Sequence, residues 1–114
     1  MAYATKQDII SIYGQDELDI TFDRNGDSKA EDSVVSICLD KASCEIDAYL
    51  AAQHKLPLQS PPALPGILKY LCADMALYAG SRDLGALTED RRKRYEDAVR
   101  LLEMIASGEA SLGI

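Results

Sequence analysis

The sequence predicts an all-α chain: a compact bundle of about four helices, a short extra helix or turn after the first, and an extended C-terminal tail. Two observations carry this. Apolar residues recur at three-and-four spacing over long segments, the signature of helices with one buried face. Capping residues stand at the edges of those segments, and no pair of alternating segments offers a sheet. At 114 residues the chain reads as one domain, 1–114, able to bury roughly two-thirds of its unfolded surface.

In chain order, Thr5 followed by Asp8 resembles a capping box, and Ile9, Ile12 and Tyr13 give a short apolar stripe that Gly14 stops. Residues 16–22 are ambiguous: Leu18, Ile20 and Phe22 alternate like a strand, yet Leu18 and Phe22 are also one helical turn apart. A short helix is favoured, since no strand partner exists. A turn-rich loop at 23–28 precedes a helix that begins near Glu31 or Asp32, where acids suit the positive end of the dipole. Its buried positions are Val35, Cys38, Leu39, Ala42, Ile46, Tyr49 and Leu50, and the Leu56-Pro57-Leu58 exit sets its boundary at Leu56. After a stiff connector, Gln59-Ser60-Pro61-Pro62, the next helix carries Leu64, Ile67, Leu68, Leu71, Cys72, Met75 and Tyr78. Residues 81–87, with Gly80 before them and Gly85 among them, read as a loop. The last helix starts at Thr88 with Glu89 and Asp90 in its first turn, buries Tyr95, Ala98, Val99, Leu102 and Ile105, and ends at Gly108.

Composition excludes several function classes. No apolar run approaches the ~20 residues of a membrane span, and the start of the chain lacks the order of a secretory signal. The expectation is synthesis and use in the cytoplasm, with no membrane partner. Six Tyr, one Phe and no Trp argue against a base-stacking platform in this chain. The net charge of −7 resides in residues 15–47, which hold ten acids against three bases, while the rest of the chain balances nine with nine. Such a surface aids solubility and disfavours nonspecific DNA binding.

The chemical motifs are few. Asp23, Asn25 and Asp27 match the first positions of a calcium loop, but Ser28 stands where the sharp-turn glycine belongs and Val34 where a bidentate Glu belongs. The favoured reading is an Asx-rich turn with no metal. The basic run 91–94 spreads around a helix axis and reads as a solvated face paired with Glu89, Asp90 and Asp97. Its alternative is a contact to an acidic neighbour, which makes Arg91, Arg92 and Arg94 interface candidates. The three cysteines, Cys38, Cys44 and Cys72, lack metal-ligand spacing and read as buried reduced thiols. His54, the only histidine, lies ten residues from Cys44, a poor arrangement for nucleophilic catalysis. No cofactor and no enzymatic activity are expected.

Several segments together resemble a known family. They are the opening Met1-Ala2-Tyr3-Ala4-Thr5 with Asp8-Ile9-Ile10, then Gly14 with Asp16-Glu17-Leu18, and the loop Asp23-Arg24-Asn25-Gly26-Asp27. Glu45-Ile46-Asp47-Ala48-Tyr49-Leu50 leads on to Leu56-Pro57-Leu58. The run from Arg94-Tyr95-Glu96-Asp97-Ala98 through Leu101-Leu102-Glu103-Met104-Ile105-Ala106-Ser107-Gly108 to Ser111-Leu112-Gly113 is the most specific part. Over nearly the whole chain they resemble a domain family of Mu-like phages and prophages, found among head and tail morphogenesis proteins. His54 and Ser28 depart from its pattern, replacing an aromatic residue and a glycine.

The resemblance implies a structural virion protein, a head–tail adaptor assembling as a ring on the portal protein and letting genomic DNA pass without specific binding. It implies neighbouring copies and a tail-side stopper or completion protein as partners, and the neck of the virion as location. The alternative is a cytosolic helical assembly factor or regulator absent from the particle. The tail adds two interface candidates, Leu112 and Ile114, because apolar residues beyond a glycine stop are unexpected in a terminus without a role; the alternative is that Leu112 folds back onto the helical core.

Overall fold

The computed structural model describes residues 2–53, 66–84 and 88–111. Its regular elements are all helices: α1 (Lys6–Tyr13), α2 (Gln15–Phe22), α3 (Asp32–Leu50), α4 (Ile67–Leu84) and α5 (Glu89–Ser107), with no strand among the described residues. The predicted all-α bundle with an extra short helix is the fold.

Local chemistry accounts for most boundaries. At α1, the Asp8 N–H donates to Thr5 Oγ1 at 3.1 Å and the Thr5 N–H donates to Asp8 Oδ2 at 2.9 Å, a complete capping box. Gly14 ends α1 and opens α2 at φ +99°, a backbone conformation that a side chain would strain. In α2 the ambiguity of 16–22 disappears: Leu18 and Phe22 are fully buried on one face, while Ile20 points outward and is 65% exposed. Thr88 caps α5 by accepting the Arg91 N–H at 3.2 Å, and Gly108 closes it in the left-handed region at φ +87°.

Two boundaries differ from expectation. Regular winding of α3 stops at Leu50 rather than near Leu56, and the chain tightens through Ala52 N–H to Tyr49 O at 3.3 Å and Gln53 N–H to Leu50 O at 3.0 Å. The Leu56-Pro57-Leu58 exit, with Leu64 and the 59–62 connector, lies outside the described residues. In α4 the helix continues through Gly80 to Leu84, where a loop was expected from Ser81. Gly80 is there for space: a Cβ would stand 2.6 Å from Phe22 Cε1, so the glycine lets α2 approach α4 closely. Ser81, in the continued helix, is completely buried.

Helices α3, α4 and α5 pack against one another, and α1 and α2 form an elbow that lies on α4. That makes α4 the central helix. Its expected single stripe is an underestimate, since Ala73, Ala76 and Leu77 are buried as well as Leu68, Leu71, Cys72 and Met75. Small alanines on its other sides allow the extra neighbours close approach. Conversely Ile67, placed in the stripe by spacing, is 41% exposed.

Candidate interaction surfaces

Of the basic interface candidates, Arg91 is corrected by the structure. It is buried, 7% exposed, and its guanidinium donates to Ser81 Oγ on α4 and to Glu17 on α2. It is an internal tie and not a group offered to a neighbour. The signal was legible: Arg91, Tyr95, Ala98, Leu102 and Ile105 continue one helical stripe, so Arg91 occupies a core-facing register. Arg92 and Arg94 sit on the outside. Arg92 pairs with Glu89 at 2.5 Å, and its charged form is favoured by that bond. Arg94 lies 4.0 Å from Asp90 and 4.9 Å over the Tyr13 ring. Arg92 and Arg94 thus find acids on their own helix, and Arg91 finds its acid on α2. Leu112 and Ile114 lie outside the described residues.

The loop at 23–28 is built as a set of Asx turns. Asp23 Oδ1 accepts the N–H groups of Asn25 at 3.1 Å and Gly26 at 2.8 Å, and Asp23 Oδ2 accepts that of Ser28 at 3.0 Å. Asn25 Oδ1 and Asp27 Oδ1 accept from Asp27 and Lys29 in the same manner. Desolvation alone would push the Asp23 carboxyl up, but the backbone donors outweigh it and hold the carboxyl below its ordinary value. Ser28 takes φ +65°, the left-handed conformation that the expected glycine would adopt freely. The three calcium-loop candidates therefore point their oxygens at backbone N–H groups.

Tyrosine–carboxylate pairs tie the helices together, a feature the sequence did not reveal because the partners are far apart in it. Tyr3 donates to Asp47 on α3, Tyr13 to Asp74 on α4, and Tyr95 to Glu45 on α3 at 2.7 Å. Burial raises all three phenols, and the adjacent carboxylates add to the effect; Tyr13 is pushed up to about 12. Burial also raises the Asp74 carboxyl, against the lowering effect of Tyr13 and Arg94. Tyr95 stacks on Tyr78 with ring centroids 4.0 Å apart. Part of the acidic excess in 15–47 is therefore structural, since Glu17, Asp19, Asp23, Glu45 and Asp47 all bind groups of their own chain.

The cysteines divide. Cys38 and Cys72 are buried as expected, with burial raising the Cys72 thiol, whereas Cys44 is exposed on the outer face of α3. Cys44 falls outside the buried stripe because Ala42 and Ile46 already occupy the inward positions of that turn.

What remains outward is apolar at several points: Ile20 on α2, Ile37 on α3, Ile67 and Tyr70 on α4, and Met104 on α5, each at least 38% exposed. Ile20 lies in a shallow groove of about 340 Å³ with Asp16, Asp19, Asp23 and Ser28. A second groove, of about 420 Å³, runs between the N-terminal segment and α3, bridged by Lys6 to Asp32 at 2.7 Å. No described helix is long and apolar enough to cross a membrane.

Comparison with known proteins places the chain in a family. The family described as Bacteriophage Mu, Gp36 matches residues 3–114. Gene product J of Escherichia phage Mu is 35% identical over 115 aligned positions, covering all of this chain and 78% of that protein. The Mu-like prophage FluMu protein gp36 of Haemophilus influenzae is 37% identical over 84 positions, 74% of this chain and 56% of that protein. The chain belongs to the Bacteriophage Mu Gp36 family and is a phage protein.

Proposed function

We propose that this member of the Mu Gp36 family is a structural protein of the virion neck, a head–tail adaptor. Copies assemble as a ring on the portal protein, meet a tail-side stopper or completion protein, and let genomic DNA pass without binding it specifically. The observation that supports this is the scatter of exposed large apolar side chains over the outer faces of α2, α3, α4 and α5. A ring subunit has neighbours on two sides and further partners above and below, so it needs contact residues on several faces at once. The net charge of −7 keeps phosphate backbones at a distance, as a DNA conduit requires.

The same reading assigns the protein no catalytic step. Its titratable side chains serve the fold: phenols bridge to carboxylates, Arg91 bridges three helices, and the Asp23 loop caps itself.

Mass spectrometry of purified virions tests the proposal, together with cryo-electron microscopy of the particle neck. The expected result is a stoichiometric virion component with density between portal and tail. Absence from finished particles would overturn it in favour of a cytosolic assembly factor.

A further inference from the structure

Two of the exposed apolar patches have opposite electrostatic character. Around Ile20 the groove is acidic: Asp16, Asp19 and Asp23 line it, and none of the three forms an ion pair among the described residues. Of the two bases adjoining this groove in the chain, Arg24 turns away to donate to Gly80 O at 3.0 Å and Thr21 O at 2.9 Å, which leaves Lys29 beside three acids. At the start of α4 the patch carries one base, Lys69, while Asp74, the acid one turn on from Tyr70, is engaged by the Tyr13 hydroxyl. Ile67 and Tyr70 are exposed, Lys69 stands 5.0 Å over the Tyr70 ring, and the first turn holds no acid to offset the positive end of the helix dipole.

We infer that a second copy of this chain docks on the first through these patches, the Ile20 groove of one receiving Ile67, Lys69 and Tyr70 of the next. The inference rests on the reading of the protein as a ring-forming virion component. Opposite charge selects this pairing. The other exposed apolar residues lack such a bias: Ile37 is flanked by Asp40 and Lys41, and Met104 by Glu103 and Arg100. The patches also lie apart. Helix α2 meets α4 at Gly80, where Phe22 packs, and Ile67 is 13 residues earlier, roughly 20 Å along the helix axis. A contact between two different patches is heterologous, so it propagates from copy to copy and closes into a ring when the rotation allows.

Both patches are small beside the roughly 1,000 Å² of a stable interface. The free protein is therefore a monomer or small oligomer, and a platform that raises the local concentration of copies completes the ring.

Crosslinking tests this. Ile20→Cys and Tyr70→Cys are introduced together on a Cys44→Ser background, since Cys44 is the exposed native thiol. Oxidation of the concentrated protein is expected to yield a ladder of dimers, trimers and longer chains. A mixture of the two single variants should stop at dimers. Asp16→Lys or Lys69→Asp should each lower ladder yield several-fold, and the two together should restore it, with circular dichroism confirming the fold throughout. No ladder, an equal ladder when Met104→Cys replaces Tyr70→Cys, or indifference to the charge swap would overturn the contact. The same oxidation on phage particles carrying the double-cysteine chain separates this inference from the one it rests on. Protein present in particles without the 20–70 crosslink, or linked from either cysteine to a different virion protein, overturns the contact and leaves the virion reading standing. A ladder in solution with no protein in particles supports the contact and overturns the virion reading.

Discussion

Gly80→Ala sets two effects of opposite sign against each other. In a helix interior, Ala is favoured over Gly by about 1 kcal/mol on propensity alone. Here the added Cβ would lie 2.6 Å from Phe22 Cε1, 2.9 Å from Thr21 Cγ2 and 3.0 Å from Phe22 Cδ1. Both neighbours are completely buried, so the ring has no solvent side to swing into. Overpacking of this kind costs about 1–3 kcal/mol. Taking about 2 kcal/mol and subtracting the propensity gain leaves a net loss of about 1 kcal/mol, or about 4–8 °C in Tm. Arg24 follows the same displacement, because its guanidinium bonds the Gly80 carbonyl. Thermal and urea unfolding by circular dichroism would be measured for the parent, Gly80→Ala, Phe22→Leu and the double variant. Leucine at 22 removes the ring edge that the Cβ meets, so Gly80→Ala should cost less in that background, a coupling that the cycle isolates. A Gly80→Ala chain that melts higher than its parent would refute the close-packing account of this glycine.

Arg91→Ala leaves the buried Ser81 hydroxyl and the half-exposed Glu17 carboxylate without their shared partner, and should cost about 2–3 kcal/mol in urea unfolding, below the full buried-pair figure because Glu17 is 38% exposed. Arg92→Ala, on the surface, should stay within about 0.5 kcal/mol; equal losses for the two would contradict the burial of Arg91. Titration calorimetry with calcium should give no saturable heat, since the Asp23 and Asp27 oxygens already accept backbone N–H groups; a micromolar dissociation constant would overturn that reading. Tyr3, Tyr13 and Tyr95 all have folded-state values raised above the ordinary 10.0, so their contribution is complete below pH 10 and is lost as pH rises through the folded values. Alkaline titration should therefore show tyrosinate absorbance growing together with loss of helical signal, and phenols that ionise freely while the helices persist would contradict the ties.

The features legible in the sequence are those decided within a turn or two of chain. Thr5 with Asp8, Thr88, Gly14 and Gly108 mark helix ends because a cap satisfies N–H or carbonyl groups only a few residues away. The inward faces of α3 and α5 follow from spacing, since each packs mainly on one side. The family resemblance was likewise legible, as it lies in local segments spread over the whole chain. What tertiary structure alone decided is which polar and apolar groups meet across long separations. Glu17 and Arg91 are 74 residues apart in sequence, and Tyr13 and Asp74 are 61 apart. Spacing placed Arg91 in a core register, but only the helix opposite supplies the carboxylate that makes a buried guanidinium tolerable. The continuation of α4 past Gly80 has the same origin, because glycine is a poor helix residue until a ring packed at contact distance excludes any side chain. Exposure at Ile67 is the complement: its spacing is that of a core position, and it nonetheless stays outward in the folded chain.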